Sequence, residues 1–208
     1  MKVIAIDTPA AASDLKLLDD MHRLRARIFR DRLSWNVSCV DGREYDEFDR
    51  LAPTYIIALS STARIVGCVR LLPATGPTMI QEVFPSLIEG GHLIAHPKMI
   101  ESSRFCVDTN DQEGKAEGSL NRITFLMFAG ILEWCLANSY SELVTATDVR
   151  FERILRRAGW PMRRLGNPVA INETRSVGGL LPISSDIFDL LRPADYFSLR
   201  IDGHTRAA

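Results

Sequence analysis

The chain has 208 residues, of which 46% are hydrophobic and 25% charged, and 25 basic against 26 acidic residues give a formal net charge of −1. This length and composition are typical of one globular domain, so we expect residues 1–208 to form a single domain. The near-neutral charge argues against a general nucleic-acid binder, whose surface would be strongly basic.

Three features favour a cytoplasmic protein. The longest apolar stretch, residues 123–137, has 15 residues and contains Glu133, whereas a membrane span needs about 20. No basic segment followed by an apolar one opens the chain, as it would in a signal peptide. The four cysteines are widely spaced, without a CxxC pair, so we expect neither disulfides nor a cysteine-bound metal.

Hydrophobic periodicity predicts alternating strands and helices. In chain order they are a strand 3–6, a helix 14–29 with Ser13 as its N-cap, an irregular acidic loop 33–51, a hairpin of strands 55–59 and 64–72, helical turns within 78–87, a strand 99–107, a helix 119–138, a strand 142–147, a helix 149–158 ended by Gly159, and a strand 169–172. Beyond this point the pattern is poorly periodic. A hairpin followed by strand, helix, strand, helix order predicts an α/β fold with a mixed sheet and helices on both faces.

Ionised residues interrupt two segments that otherwise look like buried strands. Arg70 lies in one, and Glu101 and Arg104 lie in a later one. A buried unpaired charge is costly, so these residues are either paired or functional, and an exposed strand end is the alternative. Alternation places Glu101, Ser103 and Phe105 on one face and Arg104 on the other, unless a bulge redirects the strand.

The first helix and the acidic loop together suggest a site for a cation. Arg25 lies four residues before Phe29 on one helix face, and Trp35 follows. Asp46 and Asp49, three residues apart, would lie on one side of a turn. Aromatic faces attract sulfonium and ammonium groups, as carboxylates do. Simple core packing and a solvated acidic loop are the alternatives.

A basic segment lies at residues 150–164. Six arginines opposed by one glutamate give it a local net charge of +5 on a near-neutral protein. Such a patch would attract a polyanionic partner, although it could equally serve only solubility. The arginines are Arg150, Arg153, Arg156, Arg157, Arg163 and Arg164.

Metal binding is not expected. His92 and His96 have an i, i+4 spacing, but no HExxH motif is present and Pro97 follows at once.

Several blocks, taken in order along the chain, resemble the acyl-homoserine lactone synthases, which are the LuxI-type autoinducer synthase family, and particularly its TraI-like branch. The agreement is specific because the blocks occur in the same order. They are residues 21–29 with Trp35, the acidic block 46–55, the arginine strand 67–77 with Phe84 and Pro85, the segment 101–105, and residues 143–160.

The resemblance implies a fold related to the GNAT acyltransferases. It also implies transfer of an acyl group to the amine of S-adenosylmethionine, followed by lactone closure and release of methylthioadenosine. S-adenosylmethionine is then a substrate, and no cofactor is implied. The family's usual donor is an acyl carrier protein, an acidic and transient partner. The family's core positions correspond to Arg25, Phe29, Trp35, Asp46, Asp49, Arg70, Glu101 and Arg104.

The residues suggest a division of roles. Glu101 is the candidate general base, and Asp46 and Arg104 complete the catalytic group. For S-adenosylmethionine, we expect Phe29, Trp35, Asp46 and Asp49 to hold the cationic parts and Arg25 or Arg104 the carboxylate. Arg70 and Asp49 are expected to form an electrostatic cluster.

The expected acyl-chain pocket contains Ser103, Phe105, Phe125, Met127 and Thr145. The pocket itself is implied by the resemblance. A hydroxyl can favour a 3-oxo group by hydrogen bonding, and family precedent at Thr145 points the same way, so we expect a medium-chain 3-oxoacyl donor. The expected carrier-protein dock is formed by Arg150, Arg153, Arg156 and Arg157. Two alternatives stay open: a generic GNAT N-acyltransferase that uses acyl-CoA, and a non-enzymatic module that binds a small molecule or a partner protein.

Overall fold

The computed structural model describes residues 1–7, 9, 11–111 and 121–197. No helix in this part of the chain has the length and apolar character needed to cross a membrane. The strands are β1 (Lys2–Ile6), β2 (Cys39–Val40), β3 (Arg43–Glu44), β4 (Thr54–Leu59), β5 (Ile65–Pro73), β6 (Met99–Val107), β7 (Glu142–Asp148), β8 (Arg163–Arg164), β9 (Val169–Ile171) and β10 (Thr174–Pro182). The α-helices are α1 (Ala12–Ala26), α2 (Met79–Glu82), α3 (Arg122–Ala137), α4 (Val149–Ala158) and α5 (Ser185–Leu191).

Eight strands form one mixed sheet, in the order β1, β4, β5, β6, β7, β10 and β8, with β9 paired to β10. The β6–β7 pair is parallel, and the other described pairs are antiparallel. The short strands β2 and β3 form a separate hairpin. The mixed sheet predicted from the sequence is therefore confirmed.

The two faces of the sheet carry different helices. Along β4, Ile56 packs in a core cluster with residues of α3, α4 and α5, whereas Ile57 packs in a second cluster with residues of α1. Successive strand residues point to opposite faces, so α1 covers one face and α3, α4 and α5 cover the other. Helices on both faces are thus confirmed, and we call these the α1 face and the α3 face.

The parallel strands β6 and β7 separate part-way along their length. Their pairing runs from Met99 opposite Glu142 to Ser102 opposite Thr145. Beyond that point β6 continues beside β5 and β7 continues beside β10. The described residues thus contain a wedge between two strands, with backbone groups that have no neighbouring strand on that side. We call this opening the β6–β7 wedge.

A bulge lies in β6 next to the wedge. Cys68 is opposite Cys106 and Arg70 is opposite Ser103, so two residues of β6, Arg104 and Phe105, lie against one residue of β5. Arg104 has a φ of 55°, in the left-handed region. The extra residue reverses the alternation that a regular strand would have. The expectation that Phe105 shares a face with Glu101 and Ser103 is therefore wrong, and Arg104 joins them instead.

Several sequence predictions need correction. Helix α1 has Ala11 at its N-cap rather than Ser13, and it continues into a π-helical segment, Arg27–Arg32. The acidic loop contains the β2–β3 hairpin and a 3₁₀ turn, Glu47–Arg50. The first residues of the helix predicted at 119–138 lie outside the described part of the chain.

Two elements after residue 172 were not predicted, namely β10 and α5. Strand β10 carries Gly178 and Gly179 at its centre, and glycine has a low intrinsic preference for strands. Pairing with β7 over seven residues and burial of Val177 and Leu181 outweigh that preference. These tertiary contacts leave no periodic signal in the local sequence.

Candidate active site

Six charged side chains form a continuous set of ion pairs on the α1 face of the sheet. Three guanidinium groups alternate with three carboxylates, so the set has no net formal charge. We call it the arginine network. Its members are Arg25, Glu44, Asp46, Asp49, Arg70 and Arg104.

Arg25 projects from the last turn of α1 and is fully buried. Its Nε donates to Oε2 of Glu44 at 2.5 Å, and its two Nη atoms donate to Asp49 at 2.7 and 2.9 Å. Burial would lower the pKa of Arg25, but these carboxylates raise it well above its usual value. The guanidinium is thus buried and bound on all three nitrogens by carboxylates of the network.

Asp46 and Asp49 lie at the start of the 3₁₀ turn and cap it reciprocally. Asp46 accepts a hydrogen bond from the Phe48 amide at 3.0 Å, and Asp49 accepts one from the Asp46 amide at 2.9 Å. Asp49 also accepts from the Tyr55 hydroxyl at 2.6 Å. Burial would raise the pKa of Asp49, but Arg25 and Arg70 hold it well below its ordinary value. Both carboxylates thus lie on one side of a turn.

Arg70 lies in the middle of β5 and is fully buried. It donates to Asp46 and, at 2.8 Å, to Asp49. Its Nε donates to the Ser103 hydroxyl at 3.1 Å, and its guanidinium lies 5.5 Å from the centre of the Phe48 ring. The cluster predicted around Arg70 is therefore present as a set of contacts.

Arg104 lies at the accessible edge of the network. Its side chain is 13% exposed, and it pairs with Glu44 at 3.1 Å and with Asp46 at 2.8 Å. The bulge in β6 is what directs it to this face. Its guanidinium lies 5.7 Å from the centre of the Phe29 ring, and Trp35 stacks on that ring at 5.2 Å with an angle of 4°. Trp35 is 38% exposed, so this corner of the network opens to solvent.

Glu44 belongs to the network, but it was not among the predicted site residues. It is fully buried, and its carboxylate bridges Arg25 and Arg104. A count of charges contains the signal for it: three arginines in apolar segments require a third carboxylate besides Asp46 and Asp49. From the sequence, the loop that contains Glu44 was identified only as acidic.

Glu101 lies beside the network and is not paired to an arginine in it. Its two carboxylate oxygens accept hydrogen bonds from the amides of Met79, at 3.1 Å, and Ile80, at 2.7 Å, at the start of α2. Burial raises the pKa of Glu101, although these two amides and the Arg70 charge oppose the change. A buried carboxylate with a raised pKa is a better proton acceptor than an ordinary one.

The residues expected around the acyl chain lie on both faces of the sheet. Phe105 packs against Phe128 and Phe151 on the α3 face, at ring distances of 5.8 and 4.9 Å. Thr145 lies on the same face, because it comes two residues after Leu143 in β7. Its hydroxyl donates to the Ser102 carbonyl at 2.8 Å. Phe125 and Met127 also pack from α3 on this face.

Ser103 lies on the opposite face of the sheet from these residues. Its hydroxyl accepts the Nε–H of Arg70 on the α1 face, so Ser103 is part of the network's surroundings and not of the apolar cluster. The residue beside it, Ser102, is the one that pairs with Thr145 at the point where the wedge opens.

The arginines expected to bind a carrier protein are exposed on α4, and two of them line a groove of about 410 Å³. Arg164 enters this groove and forms a two-point pair with Glu152 at 2.6 and 2.7 Å. Arg175 of β10 also lines it, and that residue was not predicted. We call this the basic groove, lined by Val149, Glu152, Arg153, Arg156, Pro161, Met162, Arg164, Pro168 and Arg175.

The two histidines with i, i+4 spacing do not come together. His92 is exposed, and His96 contacts Glu142 at 3.3 Å. Within the described ranges, no group of three or more His, Cys, Asp or Glu side chains could hold a metal ion.

Comparison with known protein families shows which family this chain belongs to. The profile described as "Autoinducer synthase" matches residues 10–191, most of the chain. The chain belongs to the autoinducer synthase family. It is an acyl-homoserine-lactone synthase, and hence an acyltransferase with a GNAT-like fold.

Individual autoinducer synthases support this assignment. The chain is 56% identical over 198 residues to a "Probable acyl-homoserine-lactone synthase" of Sinorhizobium fredii, and covers 95% of both chains. It is 48% identical over 203 residues to the acyl-homoserine-lactone synthase of Agrobacterium fabrum, covering 97% of this chain and 96% of that one. Among solved structures, it is similar to BjaI, a CoA-dependent acyl-homoserine lactone synthase with SAM and isopentyl-CoA. The TM-score is 0.82 at 25% identity, over 95% of this chain and 92% of that chain.

Proposed function

We propose that this enzyme transfers a medium-chain 3-oxoacyl group from an acyl carrier protein to the amine of S-adenosylmethionine and then closes the lactone. The observation that carries the proposal is a single juxtaposition. Arg104, at the accessible edge of the arginine network beside Asp46, lies on β6 two residues after Ser102, where the β6–β7 wedge opens, and three residues after the buried Glu101.

The edge of the network suits each charged part of S-adenosylmethionine. Arg104, the more exposed of the two candidate arginines, can bind the substrate carboxylate through the remaining N–H groups of its Nη atoms, since its Nε donates to Glu44. Asp46 can accept from the ammonium group. The stacked rings of Trp35 and Phe29 offer an aromatic surface to the sulfonium, and such surfaces attract cations. S-adenosylmethionine carries two positive charges and one negative, so its binding to the net-neutral network adds one positive charge, which the nearby Glu101 carboxylate can offset.

In the first step, Glu101 takes a proton from the substrate ammonium, directly or through one water, and the free amine attacks the carbonyl carbon of the acyl thioester. The C–S bond of the thioester breaks as the amide forms, and the donor thiolate takes up a proton. The oxyanion on the thioester carbon would be stabilised by backbone N–H groups that lack a neighbouring strand in the wedge.

In the second step, an oxygen of the substrate carboxylate attacks its own γ-carbon, and the C–S⁺ bond breaks. Neutral methylthioadenosine leaves, and the ring closes to the lactone. The sulfonium is already an activated leaving group, so this step requires no metal or redox cofactor. Both reacting groups belong to one molecule, so the protein contributes chiefly by holding a folded conformer.

The choice of donor rests on the basic groove and on α4. A carrier protein is acidic, and Arg150, Arg153, Arg156 and Arg157 present an exposed cationic surface to it. Acyl-CoA is the second candidate donor, because the structurally similar BjaI is described as CoA-dependent.

The proposed function is tested by incubating the purified enzyme with S-adenosylmethionine and either acyl carrier protein or acyl-CoA donors. We expect methylthioadenosine release with the carrier-protein donor and a product mass that corresponds to a medium-chain 3-oxoacyl lactone. No release with any donor would overturn the function. A preference for acyl-CoA would overturn the choice of donor alone.

Glu101→Gln isolates the proton-transfer step. We expect kcat to fall by about 100-fold or more, while the Kd for S-adenosylmethionine changes by less than about threefold. Glu173→Gln, at an exposed position, is the matched control and should leave both values unchanged. A wild-type kcat in Glu101→Gln would remove this residue from the role of base.

A further inference from the structure

One buried titratable side chain touches the arginine network but has no part in the proposed reaction. His22 lies in α1, is 6% exposed, and places Nδ1 at 2.8 Å from the backbone carbonyl oxygen of Glu44. A carbonyl oxygen can only accept a hydrogen bond, so Nδ1 must carry the proton and donate it. His22 therefore holds the backbone of the residue whose carboxylate bridges Arg25 and Arg104.

The imidazole ring is fixed from two sides. It lies against the Tyr45 ring with centroids 3.9 Å apart, and the Tyr55 ring meets it edge-on at 6.1 Å. Tyr45 directly follows Glu44, and Tyr55 donates its hydroxyl to Asp49. This packing leaves the ring little freedom to turn away from the Glu44 carbonyl.

The strand that carries Glu44 depends on this attachment. Strand β3 has two residues, and it pairs with the equally short β2 and not with the main sheet. Glu44 is tied to α1 at two points, through its carbonyl to His22 and through its carboxylate to Arg25. The second carboxylate oxygen receives Arg104 at 3.1 Å. A shift of the Glu44 backbone would therefore be passed to the Arg104 guanidinium.

We propose that His22 is a positioning residue: its hydrogen bond to the Glu44 carbonyl fixes the Glu44 carboxylate and thereby aims Arg104 at the carboxylate of S-adenosylmethionine. This inference rests on the proposed function, in which Arg104 binds that carboxylate. His22 itself touches neither substrate nor the reacting atoms.

The surroundings of His22 also give its role a dependence on pH. The groups that face it are Arg25 on α1, Glu44 and Tyr45 at β3, Asp49 in the 3₁₀ turn, and Tyr55 on β4. Burial and the Arg25 charge lower the pKa of His22 from 6.5, against the opposing effect of the carboxylates. The ring is thus neutral at neutral pH. A proton taken up in acid would place a second buried cation beside Arg25 and disturb the network.

Two substitutions separate positioning from packing. His22→Phe keeps an aromatic ring against Tyr45 but cannot donate to Glu44, and we expect the Kd for S-adenosylmethionine to rise about tenfold, with kcat at saturation within about threefold of wild type. His22→Asn restores a donor, and we expect its Kd to return to within about threefold of wild type. His92→Phe, in an exposed loop, is the control and should bind like wild type.

The pH dependence of Kd, measured by calorimetry from about pH 8 to about pH 5, gives the second readout. Wild-type binding should weaken on acidification, and His22→Asn should weaken less because asparagine does not titrate. Glu101 is present in both proteins, so any effect of its protonation on Kd cancels when the two pH profiles are compared. If His22→Phe does not fold, His22→Leu, which also lacks a donor, takes its place in the comparison with His22→Asn.

The inference is overturned if His22→Phe binds S-adenosylmethionine as wild type does, or if His22→Asn loses as much affinity as His22→Phe. Equal weakening of His22→Asn and wild type in acid would overturn the pH dependence assigned to His22. Failure of the wild-type enzyme itself to bind S-adenosylmethionine would be a different result, because it would overturn the proposed function.

Discussion

Arginine is used in two opposite ways in this protein. In the arginine network, three guanidinium groups are buried or nearly so, and each is paired with two carboxylates. In the basic groove, Arg153, Arg156 and Arg175 are exposed. None of them forms a salt bridge with a carboxylate of the described residues, although the charges of Arg153 and Arg156 help to lower the pKa of Glu152. A buried charge must be compensated when the chain folds, whereas water can stabilise an exposed charge until a partner arrives.

Removal of one buried arginine should give the largest effect. Arg70→Met leaves Asp46 and Asp49 with one cation fewer in a buried site, and we expect the free energy of unfolding to fall by about 3–5 kcal/mol. Urea denaturation measures this change. Arg153→Met is the matched control, since it removes the same group from the surface, and should change the free energy by less than about 0.5 kcal/mol. Equal losses in the two variants would break the distinction between the regions.

Charge reversal on α4 should affect association and not folding. In the triple variant Arg153→Glu, Arg156→Glu and Arg157→Glu, we expect the KM for the carrier-protein donor to rise about tenfold, because like charges then face the acidic partner. The KM for acyl-CoA should stay within about twofold, and Tm should not change.

Lys16→Glu, an exposed reversal on α1, controls for net charge. Equal effects of the triple variant on both donors would argue against docking at α4.

The smallest effect is expected for Thr145→Val, which changes no charge. Thr145 donates its hydroxyl to the Ser102 carbonyl at the point where the wedge opens, so a 3-oxo group can receive this hydrogen bond only if the hydroxyl turns away from Ser102. Thr145→Val removes the hydroxyl while preserving the shape of the side chain. We expect the preference for 3-oxoacyl over unsubstituted acyl donors to fall about fivefold, equivalent to about 1 kcal/mol. Mass spectrometry of the products from mixed donors measures the ratio. An unaltered ratio would remove Thr145 from donor selection.

The local sequence was sufficient to predict the elements whose hydrophobic periodicity matches their pattern of buried residues. The bounds of β6 and α4 match the prediction at both ends, since an apolar strand and a helix capped by Asp148 and ended by Gly159 are locally complete signals. Strand β10 was missed because its central glycines give no strand signal, although the sheet on either side holds it in place.

In the candidate site, too, some residues were predicted from the sequence and others were missed. The residues expected near the cation site were identified from charge in apolar segments and from family resemblance, and the structure brings Arg25, Asp46, Asp49, Arg70 and Arg104 into one network. Glu44, Arg175 and the separation of Ser103 from Phe105 were not identified. Each of these depends on which face or which neighbour a side chain meets.

The sequence by itself determined that the charges of Arg70 and Arg104 must be compensated, because the cost of a buried charge in an apolar strand is a property of residue type. Only the tertiary structure decided how they are paired. A single extra residue in β6 turns Arg104 toward Glu44 and Asp46 and turns Phe105 toward the aromatic cluster. Such a bulge is set by the register between β5 and β6, which strand pairing across more than thirty residues fixes and a local pattern does not encode.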